Sequence, residues 1–293
     1  MIRVLLGALC ISFSPVFVKL AGVSALGSAF WRMLFGGLGL LAWLLVRGGF
    51  RLPSGRLLAG ALFFALLWGI DIAGWHAAIL YVGPGMGTLL PNFQAVLLPL
   101  LALALFREPV RPLLALALPL ALAGLFLVVG PQWGGFGQGS RLGVALGLGA
   151  GVFYALYLLA LQRLARTDQD DPFRIVTMIS LGCALLLALG MLAKGDSFAI
   201  PDAASLGILF AYGLFGQVLG WVLITTGVRS TPTALVGLLL LLQPTCSYLW
   251  DVLFFDKHIG LLEGAGVLLA LAGIYLGGRA RPARPNEKTS RAK

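Results

Sequence analysis

Long apolar runs, broken at intervals of roughly 20 residues by short polar clusters, dominate this chain. A stretch such as LLPLLALALF shows none of the strict alternation that a membrane β-strand requires. Its length and composition suit a helix, because about 20 helical residues cross a hydrocarbon core of about 30 Å. The pattern predicts spans at 4–21, 28–46, 57–80, 84–106, 110–130, 142–162, 173–193, 205–228, 231–254 and 258–278. The expected fold is therefore an all-α membrane protein with ten transmembrane helices.

The same pattern repeats. Pro91 to Gly124 consists of two apolar runs hinged on Phe106-Arg107-Glu108-Pro109, and it recurs near the C-terminus at a spacing of 149 residues. Gln94 falls on Gln243, Arg107-Glu108 on Asp256-Lys257, and LALAG at 120–124 on LALAG at 269–273. Residues 1–130 then form a first five-helix repeat, 131–141 a Gly-rich linker, 142–278 a second repeat, and 279–293 a basic, disordered tail. Five spans is an odd number, so the second half enters the membrane upside down relative to the first. The expectation is two inverted five-helix repeats around a central cavity.

Charge adds orientation. With spans numbered from an inside start, 16 of the 21 basic residues fall on the side that holds both termini. The positive-inside rule makes that side cytoplasmic. The net charge of +10 is scattered through short loops at membrane edges, which points to lipid headgroups and argues against nucleic acid. Cys10, Cys183 and Cys246 match no zinc or redox spacing, and no motif calls for a metal or cofactor. The first 25 residues imitate a secretory signal, but Lys19 and the nine later spans favour a retained first helix.

Polar residues inside the spans are the candidate chemistry, since ionisable groups in hydrocarbon are costly and seldom decorative. In the first helix Ser12, Pro15 and Lys19 form one stripe, and Pro15 frees the carbonyl of Ile11. Lys19 either belongs to that stripe or snorkels to the interface. Arg32 opens the second helix about one turn inside its boundary, where phosphate, a carboxylate or an anionic solute would hold it. The third carries Asp71 on one face with Trp68 and Trp75, while His76 lies about 140° away. Asp71 is either a solute or proton site or half of an ion pair with Lys19 or Arg32. His76 is either a polar wall residue or a packed neutral imidazole, and Trp75 is a stacking surface or an interfacial anchor.

The fourth helix follows the turn Gly83-Pro84-Gly85 and holds Pro91, Asn92, Gln94 and Pro99, the pattern of a broken helix that lines a cavity. Its amides serve either as solute contacts or as helix-to-helix glue. Tyr154 and Tyr157 lie in the sixth helix, Gln217 and Trp221 in the eighth, and the seventh is featureless apart from Arg174. The ninth places Gln243, Ser247, Trp250 and Asp251 on one face, with Asp251 near the boundary, where a solvated carboxylate is its plainer reading. The candidate transport cavity is Lys19, Arg32, Asp71, Trp75, His76, Asn92, Gln94, Gln243, Trp250 and Asp251.

The duplicated order of an apolar run, a charged turn (LALALFREP, then FFDKH) and a helix closing on LALAG resembles the drug/metabolite transporter superfamily, in particular its EamA-like bacterial members. The resemblance covers the chain up to its tail. It implies a bundle around a central cavity in the bacterial inner membrane, exporting amino acids or other small metabolites. The chain departs from the family pattern at Lys257, opposite Glu108, and at Phe13-Ser14-Pro15, where relatives often carry Trp-Gly.

Aromatic walls, amides and opposed charges suit a zwitterionic solute, and a carboxylate-rich metabolite or metallophore is the alternative. Proton coupling would run through Asp71. Import, a channel and a receptor are competing readings. A membrane enzyme is disfavoured, because the chain has two histidines and no HExxH, GxSxG or phosphate-loop motif. Glycine-rich faces fit a monomer or a homodimer.

Overall fold

In the computed structural model, residues 1–49, 55–107, 110, 112–129, 140–167, 171–255 and 260–279 are described. Among them every regular element is helical: α1 (Ile2–Ser12), α2 (Ser14–Leu20), α3 (Ala25–Val46), α4 (Gly55–Leu89), a 3₁₀ turn (Leu90–Phe93), α5 (Gln94–Phe106) and α6 (Pro112–Val129). Then come α7 (Ser140–Thr167), α8 (Pro172–Lys194), α9 (Ala203–Tyr212), a π-helical segment (Gly213–Gly220), α10 (Trp221–Val228), α11 (Thr233–Leu240), α12 (Leu242–Phe255) and α13 (Leu261–Gly278). Eight helical stretches are long and apolar enough to cross a membrane, and Leu90–Phe106 and Pro112–Leu127 are shorter apolar helices.

The outer surface is apolar. Val46, Leu192, Leu253 and Leu268 are 85%, 66%, 67% and 71% exposed, which a water-facing protein does not sustain over so many positions. This is a multi-pass membrane protein. A crevice of about 340 Å³ between α3, α4 and α8 belongs to this surface, lined by Leu66, Gly69, Ile70 and Leu186 with no charged group.

Helix interruptions shape the interior. Pro15 separates α1 from α2 at Phe13, and the carbonyl left over at Ser12 accepts a 2.8 Å hydrogen bond from Ser247 Oγ. The expected turn at Gly83-Pro84-Gly85 lies within the helical range, which extends to Leu89 although Pro84 has no N–H to donate. The chain nevertheless reverses there, since a side chain at Gly147 would touch both Ala78 and Leu90. The bend is followed by the 3₁₀ turn, and α11 and α12 are likewise offset at Leu241. The two interruptions, at 90–93 and 241, fall at corresponding places in the sequence repeat.

Packing pairs the elements in a regular way. α3 lies against α8, α5 against α11, and α6 against α13. The α4–α7 contact has a counterpart in α1 against α10 and the π segment, and α4–α8 has one in α3 against the π segment and α9. The repeated LALAG motif is its own partner. A methyl on Gly124 would strike the backbone of Ala270, and one on Gly273 would strike that of Ala121, so only glycine allows this crossing.

Candidate functional site

Arg32 sits on α3, about one turn before Gly36, and Gly36 explains its setting. A Cβ there would fall 2.5 Å from Cβ of Gln217, so the missing side chain lets the π segment press against α3. A π turn widens the backbone and re-aims its side chains, a geometry frequent at functional sites. Gln217 is thereby delivered to the guanidinium. Arg32 Nε donates to Gln217 Oε1 at 3.2 Å and its Nη1 to the Tyr212 hydroxyl at 3.1 Å. Gln217 Nε2 in turn donates to Ser180 Oγ at 2.8 Å, and Ser180 donates to the carbonyl of Val176 at 2.5 Å.

Two aromatic faces complete the seat, with the guanidinium carbon 5.1 Å from the Tyr212 ring centre and 5.7 Å from that of Trp68. Every partner of this cation is neutral. A guanidinium stays charged at any biological pH, so the seat fixes its position and leaves its charge uncompensated.

Asp71 is 8% exposed, one turn above Trp68 on α4. Among the described residues neither Asp71 nor Arg32 takes part in an ion pair, so the expected alternative of an Asp71 bridge to Lys19 or Arg32 is not formed. Both nonetheless border Trp68, which lies 5.7 Å from the Arg32 guanidinium carbon and one turn from Asp71 on α4. Trp68, Tyr157 and Trp221 form an aromatic cluster with ring centres 4.9 to 5.4 Å apart, and Tyr154 stacks beyond Tyr157 at 6.4 Å. Gln243 reaches the Tyr154 hydroxyl from α12, and its Nε2 is buried without a partner. The indole N–H of Trp221 is also buried and unbonded.

Arg32, Asp71 and Gln243 thus border one aromatic waist, the first two at Trp68 and the third at Tyr154. Gln94 is fully buried at the start of α5, and both of its amide atoms lack partners. Trp75 and Asn92 are half-buried on α4 and the 3₁₀ turn. Trp250 lies elsewhere, stacked on Phe13 at 4.2 Å with its N–H on Ser12 Oγ at 2.7 Å, which locks α12 to the α1–α2 break. Lys19 is exposed, with Nζ 4.2 Å from the ring centre of Phe255. The side chains of His76 and Asp251 lie outside the described residues, as do Glu108, Asp256 and Lys257.

Tyr212, Ser180 and Trp68 were not singled out by the residue pattern as site members. Ser180 carries no signal in an apolar helix, and Tyr212 is aimed by the π segment, which periodicity does not foretell. Gln217 had the stronger signal, an amide within the run GLFGQVLGW, four residues before a tryptophan as Asp71 is four before Trp75.

Comparison with known proteins places these observations. The model of the EamA-like transporter family matches residues 1–130 and 141–278. An uncharacterized transporter of Archaeoglobus fulgidus is 29% identical over 278 residues, covering 94% of this chain and 95% of the relative. The uncharacterized transporter YvbV of Bacillus subtilis is 26% identical over 220 residues, covering 75% and 70%. A solved crystal structure aligns with a TM-score of 0.82 at 18% identity, covering 95% of this chain and 99% of that one, so the two share a fold.

Proposed function

The chain belongs to the EamA-like transporter family, and from that premise we propose that it exports a small zwitterionic metabolite, an amino acid or related compound, across the bacterial inner membrane. The observation that carries the reading is the Arg32 seat. A cation fixed by a glutamine, a tyrosine and two aromatic faces, with no carboxylate in contact among the described residues, is built to receive an anionic group from outside the chain. Asp71, in the same waist and equally without an ion partner, suits the solute's ammonium. The aromatic cluster between them suits its apolar body.

A carboxylate-rich solute fits less well. It needs several cations, whereas among the described residues Arg32 is the one cation seen at the waist, and Lys19 is exposed against Phe255.

The transport cycle follows from the halves. The reciprocal Gly124–Ala270 and Gly273–Ala121 contacts, and the matched helix pairings, support ten spans arranged as two inverted five-helix repeats. Rocking of these halves would expose the waist to each side in turn, with both termini in the cytoplasm as the basic loops require. Proton coupling, if the cycle uses it, runs through Asp71.

The test is to compare extracellular metabolites from cells overproducing the wild type, Arg32→Gln and Asp71→Asn, scanning zwitterions and polycarboxylates alike. Enrichment of a zwitterion by wild type and its loss in both variants is the expected result. Enrichment of a polycarboxylate would replace the substrate class, and depletion of a solute from the medium would reverse the direction. Equal enrichment in wild type and Arg32→Gln would remove Arg32 from the site.

A further inference from the structure

Four glutamines lie in the interior, and three have work within the protein. Gln162 accepts from Thr233 Oγ1 at 2.6 Å and donates to the carbonyls of Val228 and Thr231 at 2.9 and 2.6 Å. Gln217 joins Arg32 to Ser180. Gln243 lies beside Tyr154 and leaves Nε2 unbonded. Gln94 stands apart, with 0% of its surface exposed and neither Nε2 nor Oε1 bonded.

A buried amide without partners costs stability on both its donor and its acceptor, and leucine of similar size would avoid that cost. Helix glue does not explain Gln94 either, because glue bonds to something. Its helix packs on α7, which carries Tyr154 and Tyr157 of the waist. A side chain at Gly147 would meet Leu90 and one at Gly151 would meet Pro91, so the 3₁₀ turn lies along α7, and α5 continues against it. Gln94 opens α5 three residues after Pro91, and Tyr154 follows Gly151 by three on α7, beside Gln243. Gln94 and Gln243 are also the matched pair of the sequence repeat, each within two residues of a helix interruption.

We infer that the Gln94 carboxamide reads a neutral hydrogen-bonding group on the transported solute, a hydroxyl or an amide carried beside its carboxylate and ammonium. The inference rests on the zwitterion reading and narrows it to polar side chains. Gln94 is enclosed in the state described, so the solute reaches it as the waist opens during transport, and the carboxamide's donor and acceptor then both find partners. Gln243 Nε2, the unbonded donor of the amide matched to Gln94 in the repeat, supplies a second donor to the same group.

The test uses the full chain in proteoliposomes and counterflow of three matched pairs of radiolabelled zwitterions: L-threonine and L-valine, L-glutamine and L-methionine, L-tyrosine and L-phenylalanine. Wild type is expected to favour the hydroxyl or amide member of at least one pair by about tenfold. Gln94→Leu is expected to erase that preference while its melting temperature in detergent stays equal to or above that of wild type. Gln94→Met, unbranched and nearly isosteric, repeats the test should leucine disturb the packing. A preference that survives in both variants, or no preference in a wild type that exchanges both members of a pair, overturns the role of Gln94 and leaves the zwitterion reading standing. Exchange of none of the six overturns the zwitterion reading itself, and this inference with it.

Discussion

The corner at Gln162 and the waist at Arg32, Asp71 and Gln94 are both polar islands inside an apolar bundle, yet they are built on opposite plans. At the corner every polar atom of the glutamine is used within the chain, tying α7 to the turn between α10 and α11. At the waist, among the described residues, a cation rests on neutral partners, a carboxylate has no ion pair, and an enclosed amide has no partner. A fully satisfied buried network rigidifies a fold, whereas a partly satisfied one costs stability. The corner therefore holds the structure, and on the proposed function the waist keeps its valences for the solute.

The sharpest way to break this contrast is substitution at each island with two readouts, exchange and stability. Arg32→Gln should lower exchange of a zwitterion by roughly 100-fold, the scale of about 3 kcal/mol for losing one member of a buried charged hydrogen-bonded pair, with little change in melting temperature. Gln162→Leu should do the reverse. It strands two carbonyls and a hydroxyl, at a cost of about 2–4 kcal/mol in unfolding experiments, with the affinity for solute unchanged. Gly124→Ala probes the crossing of α6 and α13, where the added methyl meets backbone, and should destabilise by about 1–3 kcal/mol without altering selectivity.

The smallest effect lies at the membrane edge. Asp202 caps α9 by accepting from the N–H of Ser205 at 2.7 Å, and that bond holds its carboxyl below the usual carboxylate range. A depressed value contributes stability above the unfolded-state value of about 3.9 and loses it as pH falls through the folded one. Asp202→Asn should thus differ slightly from wild type at neutral pH and converge with it below about pH 4 in thermal melts.

Much of the bundle was legible in the chain, because apolar length and the 149-residue recurrence are properties of the sequence itself. Arg32 and Asp71 were legible for a related reason, since a charge within an apolar run stands out regardless of its neighbours. What the helix wheel does not carry is which face meets which helix. Trp250 shares a face with Gln243, yet its ring is taken by Phe13, displaced by the Pro15 break in α1–α2. Lys19 shares a stripe with Ser12 but ends beside Phe255. Ser180 and Tyr212 join Arg32 through the π segment and its edge, which packs closely on Gly36 and which no periodicity in GLFGQVLG foretells.

The central claim is that Arg32 is held in place by neutral groups so that its charge remains for the solute, and Gln217→Glu tests it most directly. The substitution keeps the size and reach of the side chain and supplies a carboxylate where the amide oxygen lies 3.2 Å from Arg32 Nε. Counterflow in proteoliposomes should then lose zwitterion exchange as fully as Arg32→Gln does, while the melting temperature holds or rises because Arg32 has gained a counterion. Undiminished exchange by Gln217→Glu, with the fold intact, would contradict the account.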